Sequence, residues 1–167
     1  MRKLRLSVVI SFLVIAASCS SSSEPMAVEI TGPLGPAETP AQIAGPAVDD
    51  GIVCDAATYV EGDFVDLDGK VLTDEERDQL MQVEMETGEI VFSAKHGRWT
   101  CADGSGTFDT VDTPTMAMPE LDFEGTNEPA TWEVESGTGD YEGLTGSGKV
   151  IVDFPNGTVV YDGELQK

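Results

Sequence analysis

Positive charge is scarce in this chain. Nine Lys and Arg residues stand against 31 Asp and Glu, a formal net charge of −22 over 167 residues. A surface this acidic repels phosphate backbones and lacks the basic stripe that displaces their counterions, which argues against a nucleic-acid partner. Histidine is scarcer still: His96 stands alone, able to do acid or base work but with no partner named by the sequence. Cys54 and Cys101, the two cysteines outside the N-terminal region, cannot complete a four-ligand zinc site with His96 unless carboxylates join them, and no pair has zinc-motif spacing. No serine occupies a nucleophile elbow, because Gly-x-Ser-x-Gly survives only as the fragments Gly104-Ser-Gly and Gly146-Ser-Gly. What remains is ample for one domain. A hydrophobic fraction of 40%, with 18 glycines, 9 prolines and two tryptophans, describes a turn-rich globule rather than a disordered chain or a helical bundle.

The first residues read as an address. Arg2, Lys3 and Arg5 precede an apolar run from Leu6 to Ala17, too short to span a bilayer as a helix, and the small residues Ala16, Ala17 and Ser18 lead into Cys19. Small residues before a cysteine, with a serine run after it (Ser20 to Ser23), resemble the lipobox of bacterial lipoproteins. The resemblance implies a signal peptide over residues 1–18, thioether lipidation of Cys19 and anchoring to the bacterial cell envelope, with several acyl chains making attachment durable. Cleavage would remove Arg2, Lys3 and Arg5 and no acids, so the mature chain is more acidic still. Residues 19–48, rich in Ser, Pro, Gly and Ala, read as a tether of reach between roughly 30 Å and roughly 90 Å, with the domain at residues 49–167.

That domain has the pattern of an all-β fold. Short stretches of β-branched and aromatic residues alternate with glycine-rich turns. Lys149 to Phe154 and Thr158 to Leu165 flank Pro155-Asn156-Gly157, a strong hairpin signal, and further strands are expected at Thr58 to Val65, Glu89 to Thr100, Gly106 to Val111 and Ala130 to Glu135. One helix interrupts them, over Asp74 to Met81, capped by Thr73 with Glu76 completing a capping box. With Cys19 committed to lipid, Cys54 and Cys101 remain, and an exported chain meets oxidising conditions. A disulfide between them is expected to stabilise by about 4 kcal/mol, the alternative being two reduced, buried thiols.

The run from Cys101 through Ala-Asp-Gly-Ser-Gly-Thr to Phe108, and that from Trp132 to Gly148, resemble bacterial secreted proteins related to the allene oxide cyclase-like and dirigent-like barrels. The resemblance covers about two thirds of the domain and is weakest at residues 63–90, where the helix reads as an insertion. It implies a small closed antiparallel barrel of about eight strands, whose interior holds packed side chains or one small ligand. An upstream cysteine like Cys54 also occurs in that group, which supports its pairing with Cys101.

Three motifs invite a sharper reading. Gly143-Leu-Thr-Gly-Ser-Gly-Lys149 matches a phosphate-binding loop until Val150 replaces the Ser or Thr, and Val150 to Phe154 alternates as a strand where that loop needs a helix, so no nucleotide is expected. Asp66, Asp68 and Glu75 match part of a calcium loop, but Phe64 stands at the first ligand position, so a turn ahead of an acidic helix is the better reading. Lys95, His96 and Arg98 form a basic cluster beside Trp99 that could dock an anion but reads more simply as the solvated face of a strand. No catalytic residue stands out, since carboxylates are too abundant for any pair to be informative.

The resulting expectation is a lipid-anchored envelope protein with a non-catalytic β-barrel acting by binding or structure. The alternatives are a cyclase or dirigent-like barrel acting on a small hydrophobic ligand, and a calcium-stabilised adhesion module. What fills the barrel separates the first two: a dry core argues for a scaffold, an open apolar pocket with a few polar groups for a ligand.

Overall fold

The computed structural model describes residues 24–35 and 38–167. The signal segment and Cys19 lie outside the described residues. Chain order is β1 (Met26–Pro33), β2 (Glu38–Ala44), α1 (Pro46–Asp49), β3 (Ala56–Asp66), α2 (Asp74–Thr87), β4 (Phe92–Cys101), β5 (Gly106–Pro114), a 3-10 turn (Met118–Glu120), β6 (Thr126–Gly139), β7 (Thr145–Asp153) and β8 (Thr158–Gln166). Each strand pairs antiparallel with the next, and β1 pairs with β8 from Met26 opposite Leu165 to Pro33 opposite Thr158, which closes the sheet into an eight-stranded barrel. The expected all-β closed barrel is what the chain forms.

Alternation drives the closure. In β4, Gly97, Trp99 and Cys101 face inward while Arg98 and Thr100 face solvent, and in β5 Phe108, Thr110 and Asp112 take the inner side. Glycines on the inner wall make room for large neighbours. A Cβ on Gly97 would lie 2.3 Å from the Tyr59 ring, and one on Gly148 would lie 2.0 Å from the Asp162 carbonyl and 2.7 Å from the Trp132 indole nitrogen. The hairpin between β7 and β8 turns where Pro155-Asn156-Gly157 predicts, with the Asp153 side chain accepting the Asn156 backbone N–H.

The tether expected over residues 19–48 is corrected by the structure. Two barrel strands and α1 occupy most of it, and only Glu24 and Pro25 precede β1 among the described residues. Proline-rich composition concealed an alternation: Val28 and Ile30 in β1, then Ala41 and Ile43 in β2, are buried with exposed residues between them. The prolines sit where strands tolerate them. Pro33 ends β1, Pro40 lies beyond the stretch of β2 that pairs with β1, and Pro46 opens α1 where its missing N–H is unneeded. The domain therefore begins at Met26 rather than Asp49.

One end of the barrel is plugged. There α1 packs against β1, β2 and β8, and its Ala47 joins Val53, Tyr141, Leu144 and Leu165 in the core. The Cys54–Cys101 disulfide, with Cα atoms 6.0 Å apart, ties the approach to β3 to the end of β4 at the same end. Helix α2 has the expected capping box, Thr73 accepting from the Glu76 backbone while the Glu76 carboxylate accepts from that of Thr73, and it runs on to Thr87.

Candidate functional site

The opposite end is open. A cavity of about 330 Å³ enters the barrel there, at the low end of the range for small-molecule sites. Its upper walls are apolar, with Phe64, Phe92, Val152 and Leu121 among them. Met81 of α2 and the methionines Met116 and Met118 of the loop before β6 form the rim, a lining that adapts to irregular shapes. Helix and loop are joined by Glu84, buried to 4% exposure, whose carboxylate accepts the Met118 backbone N–H at 3.0 Å. Phe64 and Phe92 meet edge to face, with ring centroids 5.3 Å apart, below the helix.

The floor is polar. Lys95 of β4 and Asp112 of β5 are cross-strand partners on the inner wall, and Lys95 Nζ lies 3.2 Å from Asp112 Oδ2. The same oxygen accepts the Tyr161 hydroxyl at 2.8 Å from β8. Around this cluster stand Tyr59, Trp99 and Tyr161, with Tyr59–Trp99 and Trp99–Tyr161 centroids 4.7 Å and 5.0 Å apart. Trp99 is held by its indole N–H, which donates to Thr110 Oγ1 at 3.1 Å. The Tyr59 hydroxyl and Asp112 Oδ1 are buried without an aligned hydrogen-bond partner.

Burial pushes the Asp112 carboxyl up from the ordinary aspartate value, against the pull of Lys95 and the Tyr161 hydroxyl. Burial also opposes the Lys95 charge, yet the facing Asp112 carboxylate, with Tyr59 and Glu61, outweighs it and raises the ammonium above the ordinary lysine value. Both phenols rise as well: Tyr161 through burial and then Asp112, and Tyr59 through burial first, with Lys95 opposing. The floor thus sets the Lys95 amine against the Asp112 carboxyl, flanked by two phenols whose ionisation burial opposes. Such a group can orient a ligand's polar end and exchange a proton with it.

The residues singled out from sequence scatter. Lys95 turns into the barrel, while His96 and Arg98 stay outside, His96 Nδ1 lying 3.0 Å from Glu135 and Arg98 gripping Asp109 through two hydrogen bonds. The expectation that this cluster forms one solvated face therefore holds for two of its three members. Asp66 spends one carboxylate oxygen on the backbone N–H groups of Asp68 and Lys70, forming the expected turn. Among the described residues no group of three or more His, Cys, Asp or Glu side chains is placed to hold a metal, so Asp66, Asp68 and Glu75 are not brought together as ligands. Gly143 occupies a turn at φ +80° ahead of β7, not the entry to a helix. Cys19 lies outside the described residues, and no described helix is long and apolar enough to cross a membrane.

Asp112, Tyr161, Tyr59 and Glu84 carry no flag in the sequence reading. Parity could have found the first: Asp112 falls on the same side of its strand as Phe108 and Thr110, and a carboxylate on an apolar face is informative even in an acidic chain. Glu84 follows Leu80 and Met81 at helical spacing, so its place on the inner face of α2 is a weaker signal of the same kind. Fold and site together define a closed antiparallel β-barrel with an end-opening, mostly apolar cavity. Comparison with protein-family models, curated proteins and solved structures returns no match.

Proposed function

We propose that this chain is a lipid-anchored protein of the bacterial cell envelope whose barrel binds a small, mostly hydrophobic molecule. The observation that carries the binding reading is the open cavity above the Lys95–Asp112–Tyr161 cluster, where a scaffold would have a filled core. Burying an ion pair costs more than burying apolar residues of the same size, so a barrel that served only as a scaffold gains nothing from it. The closed eight-strand meander supports the resemblance to allene oxide cyclase-like and dirigent-like barrels. A cyclase-like role for the same cavity is the second reading, favoured by the proton-exchanging groups on its floor.

The anchor reading rests on the lipobox-like residues around Cys19. With β1 beginning at Met26, six residues separate Cys19 from the barrel, a span of at most about 20 Å. Met26 lies at the plugged end and Pro33 at the cavity end, so a lipid on Cys19 would hold the plug toward the bilayer and turn the cavity mouth away from it.

Native mass spectrometry of the protein taken from its own membrane tests both parts. Acyl mass on Cys19 and a retained lipophilic compound are expected. A water-soluble, unacylated chain would remove the anchor, and failure to retain or take up any apolar compound would remove the binding role. Release of a chemically altered compound would favour the cyclase-like reading.

A further inference from the structure

Resting on the ligand-binding reading, the cavity floor also specifies a chemical group. Two of its polar atoms lack an aligned hydrogen-bond partner among the described residues, Asp112 Oδ1 and the Tyr59 hydroxyl, which has the Tyr161 and Lys95 side chains near it, and both residues line the cavity. Asp112 is 4% exposed, and both bonds it makes use the other oxygen: Tyr161 donates to Oδ2 and Lys95 lies against Oδ2. An acceptor and a hydroxyl are therefore left over in the lining of one cavity, each a buried group with a hydrogen bond to make.

Elimination narrows what completes them. A ketone or ether accepts from Tyr59 but leaves Oδ1 bare. An ammonium donates to Oδ1 but adds a cation beside Lys95. A carboxylate offers no donor and sets a negative charge against Asp112, with Glu61 also lining the cavity. A hydroxyl both donates and accepts, and its second lone pair is free for Lys95.

We infer that the cavity takes a neutral, largely apolar molecule that enters hydroxyl first, its O–H donating to Asp112 Oδ1 and its oxygen accepting from Tyr59. Water has the same donor and acceptor pattern, so an alcohol replaces it without losing a hydrogen bond and adds burial of its apolar body against Phe92, Trp99 and Met81. Lys95, on a flexible stem and about a quarter exposed at 26%, is the member of the floor that shifts to admit the group.

Calorimetric titration of the purified full chain with three molecules of similar size tests this: 1-octanol, its isomer 1-methoxyheptane, and octanoate. The alcohol is expected to bind about tenfold tighter than the ether, with octanoate weakest. Tyr59→Phe is expected to weaken alcohol and ether alike, since both accept from that hydroxyl, to leave the alcohol's advantage through Asp112 Oδ1 in place, and to hold or raise the melting temperature, because it deletes an orphan hydroxyl. An ether that matches the alcohol, a preference for octanoate, or an alcohol affinity unchanged in Tyr59→Phe overturns the hydroxyl assignment while the cavity remains a binding site. Absence of binding by all three overturns both. The comparison of ligands on the unmodified chain decides the matter even if the variant folds poorly.

Discussion

Lys95 and Asp112 face each other across β4 and β5 with their charges 3.2 Å apart inside the barrel, the one ion pair among those described that has a fully buried carboxylate. Ion pairs elsewhere differ in kind: Arg98–Asp109 and Lys149–Glu128 lie on the outer surface, where such pairs contribute little. Removing one partner of the inner pair strands a charge that water reaches poorly. Lys95→Met is therefore expected to cost about 3 kcal/mol in urea unfolding at neutral pH. The bare Asp112 carboxyl then takes up a proton more readily in the folded state than in the unfolded one, so the deficit should shrink as pH falls toward about 5. A deficit independent of pH would mean that Asp112 does not carry the penalty.

The unmodified protein has the converse dependence at alkaline pH. The Lys95 pKa is raised above its ordinary 10.5 in the folded state, net of burial, by Asp112. Its contribution to stability is complete below 10.5 and is lost as pH climbs through the higher folded value. Chemical denaturation midpoints measured upward from that pH should fall more steeply for the unmodified chain than for Lys95→Met.

The cap of α2 responds at the other extreme. The hydrogen bond from Lys70, helped by those from Thr73, lowers Glu76 from 4.5 to about 2. A depressed carboxyl stabilises above its unfolded value, so protection of the first-turn amides of α2 against hydrogen exchange should be full above 4.5 and fade as pH drops toward 2. Thr73→Ala should loosen the same turn at neutral pH by about 1 kcal/mol.

The plugged end depends on its cross-link. Reduction, or Cys54→Ala with Cys101→Ala, is expected to lower stability by up to about 4 kcal/mol, read as a drop in melting temperature on adding a thiol reductant. The cavity lies at the far end, so apolar ligand uptake by the reduced protein at low temperature should persist. Loss of uptake before any unfolding would contradict that separation.

Two glycines should respond unequally. A methyl at Gly97 meets the Tyr59 ring, a side chain that can swing aside, while one at Gly148 meets the backbone carbonyl of Asp162 at 2.0 Å. Gly97→Ala is expected to fold with an altered cavity floor and weakened ligand binding, and Gly148→Ala to destabilise the barrel itself. Circular dichroism melts separate the two outcomes.

Much of the barrel is legible because its strands carry their own punctuation. The Pro155-Asn156-Gly157 turn, the Thr73–Glu76 cap and the alternation from Lys149 onward are local signals, and each lies where it predicts. Strands β1 and β2 are hidden because Pro33 and Pro40 mask their alternation, and β1 has its other neighbour, β8, at the far end of the chain. The site is hidden for a related reason. Lys95, Asp112 and Tyr161 come from three strands, and only closure of the barrel brings them within reach of one another. Their chemistry is ordinary residue by residue, and the surplus of acids elsewhere masks the one carboxylate turned inward.

Sealing the barrel by pairing its first strand with its last sets an order on events. Met26 finds Leu165 only after nearly every intervening residue has been synthesised, so no growing chain on a ribosome can shut the cylinder early. The molecule must wait for its final strand, and until then its edges stay open to any helper that keeps nascent chains apart.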